Sequence, residues 1–113
     1  MCGISGIYLL NKNYNTENIN FYTLNTFLEH RGPDNSNNWI NDGQNLFFFH
    51  NRLSIVDLDI RSNQPLIYDD KYSIIFNGEI YNFEYLKDRL VQDGYKFKTH
   101  SDTELIAALY DKY

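Results

Sequence analysis

The chain has 113 residues, 42% hydrophobic and 17% aromatic, enough apolar material for one packed domain and too short a length for a second. Fifteen acidic against ten basic residues give a net charge of −5, and the basic residues are scattered, so no nucleic-acid partner is expected. The apolar run Ile4–Leu10 is too short for a membrane span and lacks the flanks of a secretory leader, and one cysteine makes neither a disulfide framework nor a cysteine-type metal site. A soluble cytoplasmic protein with no membrane partner and no metal is the expectation.

In chain order, Ile4–Leu10 reads as a short buried strand. Residues 11–20, with asparagine at 11, 13, 15, 18 and 20, read as a solvated, turn-rich loop. Phe21, Leu24, Phe27 and Leu28 recur at helical spacing ahead of the helix-breaking Gly32-Pro33, which predicts a helix over about Asn18 to Glu29. Asn35 to Asn38 is left to a loop. Leu46–Phe49, Leu53–Val56 and Tyr72–Phe76 read as buried strands, with Asn77-Gly78 as a turn after the last. Asn82 is placed to cap a helix whose apolar face is Phe83, Leu86 and Leu90 and which Gly94 ends, and Tyr95–Thr99 returns as a strand. Ser101-Asp102-Thr103-Glu104 fits a capping box ahead of Leu105, Ile106, Leu109 and Tyr110. That last helix has no stop signal before Tyr113, so the chain is expected to be cut short within its domain. Strands mixed with helices imply an α+β fold.

Cys2 is the only thiol, and it stands where removal of Met1 would make it the first residue. Its sulfur would then share a residue with a free α-amine, a group of ordinary pKa about 7.7–8.0 that accepts a proton near neutral pH. One residue would supply both nucleophile and base. A carbonyl under attack needs donors for its oxyanion, and Asn77-Gly78 offers a side-chain amide and a backbone N–H. Each residue also has a plainer reading: Cys2 as a small buried hydrophobe, Asn77-Gly78 as a hairpin turn, Arg52 as a surface strand residue, Asp102 as part of a helix cap. A histidine-activated thiol is a further possibility with no spacing behind it, and His30, His50 and His100 read as structural or surface residues.

The blocks MCGISGIY, HRGPD (30–34), HNRLSIVDL (50–58), QPL (64–66), IIFNGEIYN (74–82) and SDTELIAALY (101–110) occur in one order along the chain. Together they resemble the N-terminal glutaminase domain of glutamine-hydrolysing asparagine synthetases, a class II glutamine amidotransferase and N-terminal nucleophile hydrolase. RGPD, RLSIVD and NGEIYN are similar to the asparagine synthetase branch in particular.

The resemblance implies the N-terminal part of an αββα sandwich over residues 1–113, incomplete at its C-terminus and without a synthetase domain. It implies that Cys2 attacks the side-chain amide of glutamine, forming a γ-glutamyl thioester, releasing ammonia and then glutamate. Asn77 and Gly78 would form the oxyanion hole. Arg52 would pair with the substrate α-carboxylate, which suits its planar fork, and Glu79 and Asp102 would hold the α-ammonium. Leu53 and Val56 would line the pocket. No cofactor is expected in this chain, since ATP and magnesium belong to the synthetase domain that joins ammonia to aspartate, in cis or in trans. The alternatives are a truncated, non-catalytic remnant or interaction module, and a glutaminase domain of another class II amidotransferase.

Overall fold

The computed structural model describes residues 1–11, 20–55 and 57–113. The loop expected at 11–20, apart from its ends, and the pocket role expected of Val56 lie outside these residues. The elements in order are β1 (Gly3–Tyr8), α1 (Phe21–Leu28), β2 (Asn35–Ile40), β3 (Leu46–Arg52), β4 (Leu66–Tyr68), β5 (Tyr72–Ile74), α2 (Phe83–Gln92) and α3 (Asp102–Lys112), with short 3₁₀ turns at Glu29–Arg31 and Ile60–Ser62. This is the α+β mixture read from the sequence.

One antiparallel sheet has the order β1-β3-β2, with β3 central. Its register pairs Gly3 with Asn51 on one side and Asn35 with Arg52 on the other, which sets Cys2 beside the C-terminal end of β3. α1 packs on the face that carries Gly3 and Asn51, where a Cβ on Gly3 would lie 2.8 Å from the Leu28 Cβ. Gly3 is therefore needed for close packing of the helix on the sheet. The other face leaves Ile4 41% and Tyr8 62% exposed, so β1 alternates instead of being buried throughout.

β2 is a strand where a loop was expected. Its residues Asn35 to Asn38 have low β propensity, but β3 offers a complete row of backbone partners, and Asn41 at the turn accepts from the Asn45 and Leu46 amides at 3.0 and 2.8 Å. β3 ends at Arg52, so the strand expected over Leu53–Val56 is absent among its described residues. There the chain turns away, with Ser54 N–H donating 2.7 Å to the Asp34 carboxylate.

The second unit is the β4–β5 hairpin covered by α2 and α3. Its tight turn places Asp69 and Asp70 at φ 49° and 54°, with Lys71 N–H donating to Tyr68 O at 3.0 Å. Short polar side chains tolerate that left-handed backbone. β5 stops at Ile74, and Asn77-Gly78 connects no paired strands, so it is not a hairpin turn. Tyr68, Leu90, Leu105, Ala107 and Ala108 form the buried core, ringed by Ile74, Ile80, Phe83 and Leu86.

The helix limits follow local chemistry. Asn20 caps α1 through Thr23 N–H at 3.0 Å, so the helix begins at Phe21. Asn82 occupies the N-cap of α2 without a side-chain hydrogen bond, while Gly94, at φ 93°, ends it as expected, with Tyr95 N–H donating to Leu90 O. Ser101 caps α3 by accepting from Glu104 N–H at 3.2 Å. Glu104 does not complete the box: its buried carboxylate accepts from Lys98 N–H (2.8 Å), Thr99 N–H (2.7 Å) and Thr99 Oγ1 (2.6 Å). These bonds satisfy backbone donors that a strand at Tyr95–Thr99 would have used, and that segment is irregular.

Candidate active site

β1 enters the site at Cys2 and β3 leaves it at Arg52 and Leu53, brought together by the antiparallel register. Leu53 N–H donates to the Cys2 sulfur at 3.3 Å, and the Cys2 carbonyl accepts from Arg31 Nε at 3.3 Å. The HRGPD block braces this junction. A Cβ on Gly32 would stand 2.2 Å from Asn51 O, so only glycine lets the segment lie against the end of β3. Asp34 N–H then donates to Arg52 O at 3.0 Å.

Arg52 is buried, and three of its five N–H donors are engaged. Nη1 donates to Asp59 O at 3.0 Å and Asn63 Oδ1 at 2.6 Å, and Nη2 donates to Asp57 O. The donors left are Nε and the second Nη2 hydrogen, enough for a two-pronged carboxylate contact. Two residues before it on β3, His50 is fully buried, and among the described residues neither ring nitrogen meets the geometry of a hydrogen bond. Desolvation, reinforced by the Arg52 charge and opposed only by a backbone contact from Phe76, lowers its pKa to about 4, so the imidazole is neutral at pH 7.

A cavity of about 170 Å³ opens between the two units, lined among others by Cys2, Arg52, Leu53, Asn77, Gly78, Glu79 and Asp102. Four distant segments thus converge on one small space, below the roughly 300–1,000 Å³ of pockets for drug-sized ligands. Of the residues singled out in the sequence, only Val56 lies outside the described structure. Asp102 accepts from Ile80 N–H at 3.0 Å through Oδ2, which ties the start of α3 to the segment after Gly78. A Cβ on Gly78 would come within 2.7 Å of the Phe76 ring, so this glycine serves close approach.

Asp57, Ser62, Gln64, Phe76 and Thr103 line the same cavity, although nothing in the residue order alone assigned them a role there. Asp57 joins three segments around the site, accepting from Ser62 Oγ (2.6 Å), Asp59 N–H (2.9 Å) and His100 N–H (3.0 Å). Burial works against its ionisation, but these hydrogen bonds outweigh it and hold the carboxyl below its ordinary pKa. Asp57 and Gln64 both stand inside the motif blocks HNRLSIVDL and QPL, and that placement was the available signal.

The whole chain, residues 1–113, matches the family described as the glutamine amidotransferase domain. It is 41% identical over 117 residues to asparagine synthetase [glutamine-hydrolyzing] 1 of Bacillus subtilis, covering all of this chain and 18% of that protein. It is 40% identical over 114 residues to asparagine synthetase [glutamine-hydrolyzing] 1 of Arabidopsis thaliana, covering all of this chain and 19% of that protein. Amidase chry2 of Gibberella zeae is 41% identical over 88 residues, 76% of this chain and 13% of that protein. The chain spans about a fifth of the length of the asparagine synthetases it matches.

Proposed function

The chain belongs to the glutamine amidotransferase domain family, and on that premise we propose that it hydrolyses the side-chain amide of glutamine through a thioester on Cys2. The observation that carries the reading is the convergence of Cys2, Arg52, Asn77, Gly78, Glu79 and Asp102 on one cavity of amino-acid size.

The reaction requires removal of Met1, which is 76% exposed and open to an aminopeptidase. The freed α-amine takes the thiol proton and the sulfur attacks the side-chain carbonyl carbon of glutamine. The carbonyl electrons move to oxygen, where the Asn77 amide and the Gly78 N–H stabilise the charge. The α-ammonium returns its proton to the departing nitrogen, the C–N bond breaks, and ammonia leaves a γ-glutamyl thioester. Water, deprotonated by the same amine, attacks that thioester. The C–S bond breaks, the sulfur regains its proton, and glutamate leaves. The Leu53 N–H donates to the Cys2 sulfur at 3.3 Å and holds it at the rim of the cavity.

Recognition of the substrate head falls to Arg52 for the α-carboxylate and to Glu79 and Asp102 for the α-ammonium. Leu53 lines the methylene chain. A synthetase domain, in cis or in trans, which the resemblance implies would bind ATP, magnesium and aspartate, would consume the ammonia.

The test is a glutamate-release assay on the chain, with its N-terminus defined by mass spectrometry. Chain lacking Met1 should release glutamate, and Cys2→Ala or an uncleavable extension before Cys2 should abolish release. Full activity with a blocked N-terminus would overturn the amine's role. A processed chain without turnover would make this a non-catalytic module.

A further inference from the structure

The segment that would carry the oxyanion donors has no sheet to hold it. β5 ends at Ile74, and Phe76, Asn77 and Gly78 follow outside any strand. Among the described residues side chains hold it instead: Asp102 accepts from Ile80 N–H just beyond Gly78, buried His50 stands against the Phe76 backbone, and a third side chain bonds Phe76 N–H directly. Gln64 is buried, and its Oε1 accepts from Phe76 N–H at 2.6 Å across 12 residues of sequence. Phe76 carries that constraint to Gly78, since its ring lies so close that a Cβ on Gly78 would stand 2.7 Å from it.

Gln64 is itself anchored to the other side of the site. Its neighbour Asn63 accepts from Arg52 Nη1 at 2.6 Å, the same guanidinium that binds the carbonyls of Asp57 and Asp59. The dipeptide Asn63-Gln64 therefore links two parts of the site: one side-chain amide bonds the Arg52 guanidinium, and the next bonds Phe76 N–H ahead of the Asn77-Gly78 run. A displacement of that run by a fraction of an ångström would misaim both donors, and oxyanion stabilisation depends on donors fixed in advance of the reaction.

We propose that Gln64 is the positioning residue of the oxyanion segment, holding Phe76 so that the Asn77 amide and the Gly78 N–H stay aimed at the carbonyl oxygen of a Cys2-bound substrate. The inference rests on the glutaminase reading for its chemistry but not for its geometry. Because the oxyanion exists only after attack, loss of Gln64 should act on kcat and leave ground-state binding nearly untouched.

The experiment compares the processed chain with Gln64→Met, which keeps the volume and loses the acceptor, and Gln64→Glu, which keeps an acceptor oxygen. Three quantities are measured: kcat and KM for glutamate release, the rate of Cys2 alkylation by iodoacetamide, and hydrogen exchange at the Phe76 and Gly78 amides. Gln64→Met should lower kcat about 10²-fold, as loss of an oxyanion donor does, with KM within about threefold of the parent. Cys2 alkylation, which needs no oxyanion hole, should be unchanged, and exchange at Phe76 and Gly78 should quicken. Gln64→Glu should restore kcat to within about tenfold. A parallel loss of kcat, alkylation and thermal stability would show a merely structural residue, and wild-type kcat in Gln64→Met would remove the role altogether; either overturns the proposal. If the parent chain releases no glutamate, the glutaminase reading fails by itself. The exchange rates still decide whether Gln64 holds the segment, and unchanged exchange in Gln64→Met overturns it.

Discussion

The two units of the molecule bury different kinds of residue. In the β4–β5, α2 and α3 unit the centre is apolar, with Leu90 and Leu105 at 1% and 0% exposure and Ala107 and Ala108 packed between the helices. In the β1–β3–β2 unit the central strand buries His50, Asn51 and Arg52 beside Phe47 and Phe49. The apolar unit relies on the hydrophobic effect, which needs area more than geometry. The sheet unit gives part of its interior to polar groups, of which Arg52 is held by three hydrogen bonds while the His50 ring is desolvated, a costly arrangement. The cavity lies between them and takes lining residues from both.

The largest effect expected from this division is on the helical side. Leu105→Ala should cost about 2–5 kcal/mol in urea unfolding, the range for a fully buried leucine that leaves a cavity; a cost near zero would mean the apolar unit is not the stabilising one.

The next test targets the polar side through pH. The folded pKa of His50, about 4, lies below its ordinary 6.5, so the unfolded chain binds the proton first. His50 is therefore uncharged in both states above pH 6.5, and stability is lost as pH falls from 6.5 towards 4, by on the order of 3 kcal/mol in all. Urea titrations at pH 7 and pH 4.5 should show His50→Gln losing less stability than the parent over that interval. Equal losses would remove His50 as the acid-sensitive element of the sheet.

A smaller change is expected at the seam. Ser101→Ala deletes the acceptor for Glu104 N–H and should lower stability by about 1 kcal/mol. The Glu104 carboxylate, bonded to Lys98 and Thr99, keeps the loop in place, so a loss of several kcal/mol would indicate that cap and loop act as one unit. The smallest effect belongs to the open sheet face: Ile4→Ala, at a position already 41% exposed, should shift the unfolding midpoint by an amount equivalent to about 0.5 kcal/mol or less.

What was readable in the residue order was whatever is settled within a few positions. The Ser101 cap, the Gly94 stop and the helical spacing of Phe83, Leu86 and Leu90 each involve residues one to five apart, so local chemistry specified them. The motif blocks likewise marked Cys2, Arg52, Leu53, Asn77, Gly78, Glu79 and Asp102, and the fold brings all of them to one cavity. Less legible were features whose partner is distant along the chain. Asn35–Ile40 is a strand because β3 supplies its ladder, and Glu104 turns from its own helix cap to Lys98 and Thr99 because burial leaves their amides no other acceptor. Tyr95–Thr99, for the same reason, needs no strand.

The sequence by itself determined which groups are available for chemistry, where α2 starts and stops and where α3 starts, since these depend on side chains acting near their own backbone. Only the tertiary structure decided that Gly3 is reserved for Leu28, that Gly32 is reserved for the end of β3, and that Gln64 reaches across 12 residues to Phe76. Those assignments depend on close approach between segments far apart in the chain, and a distance in space is not a property of any short stretch of residues.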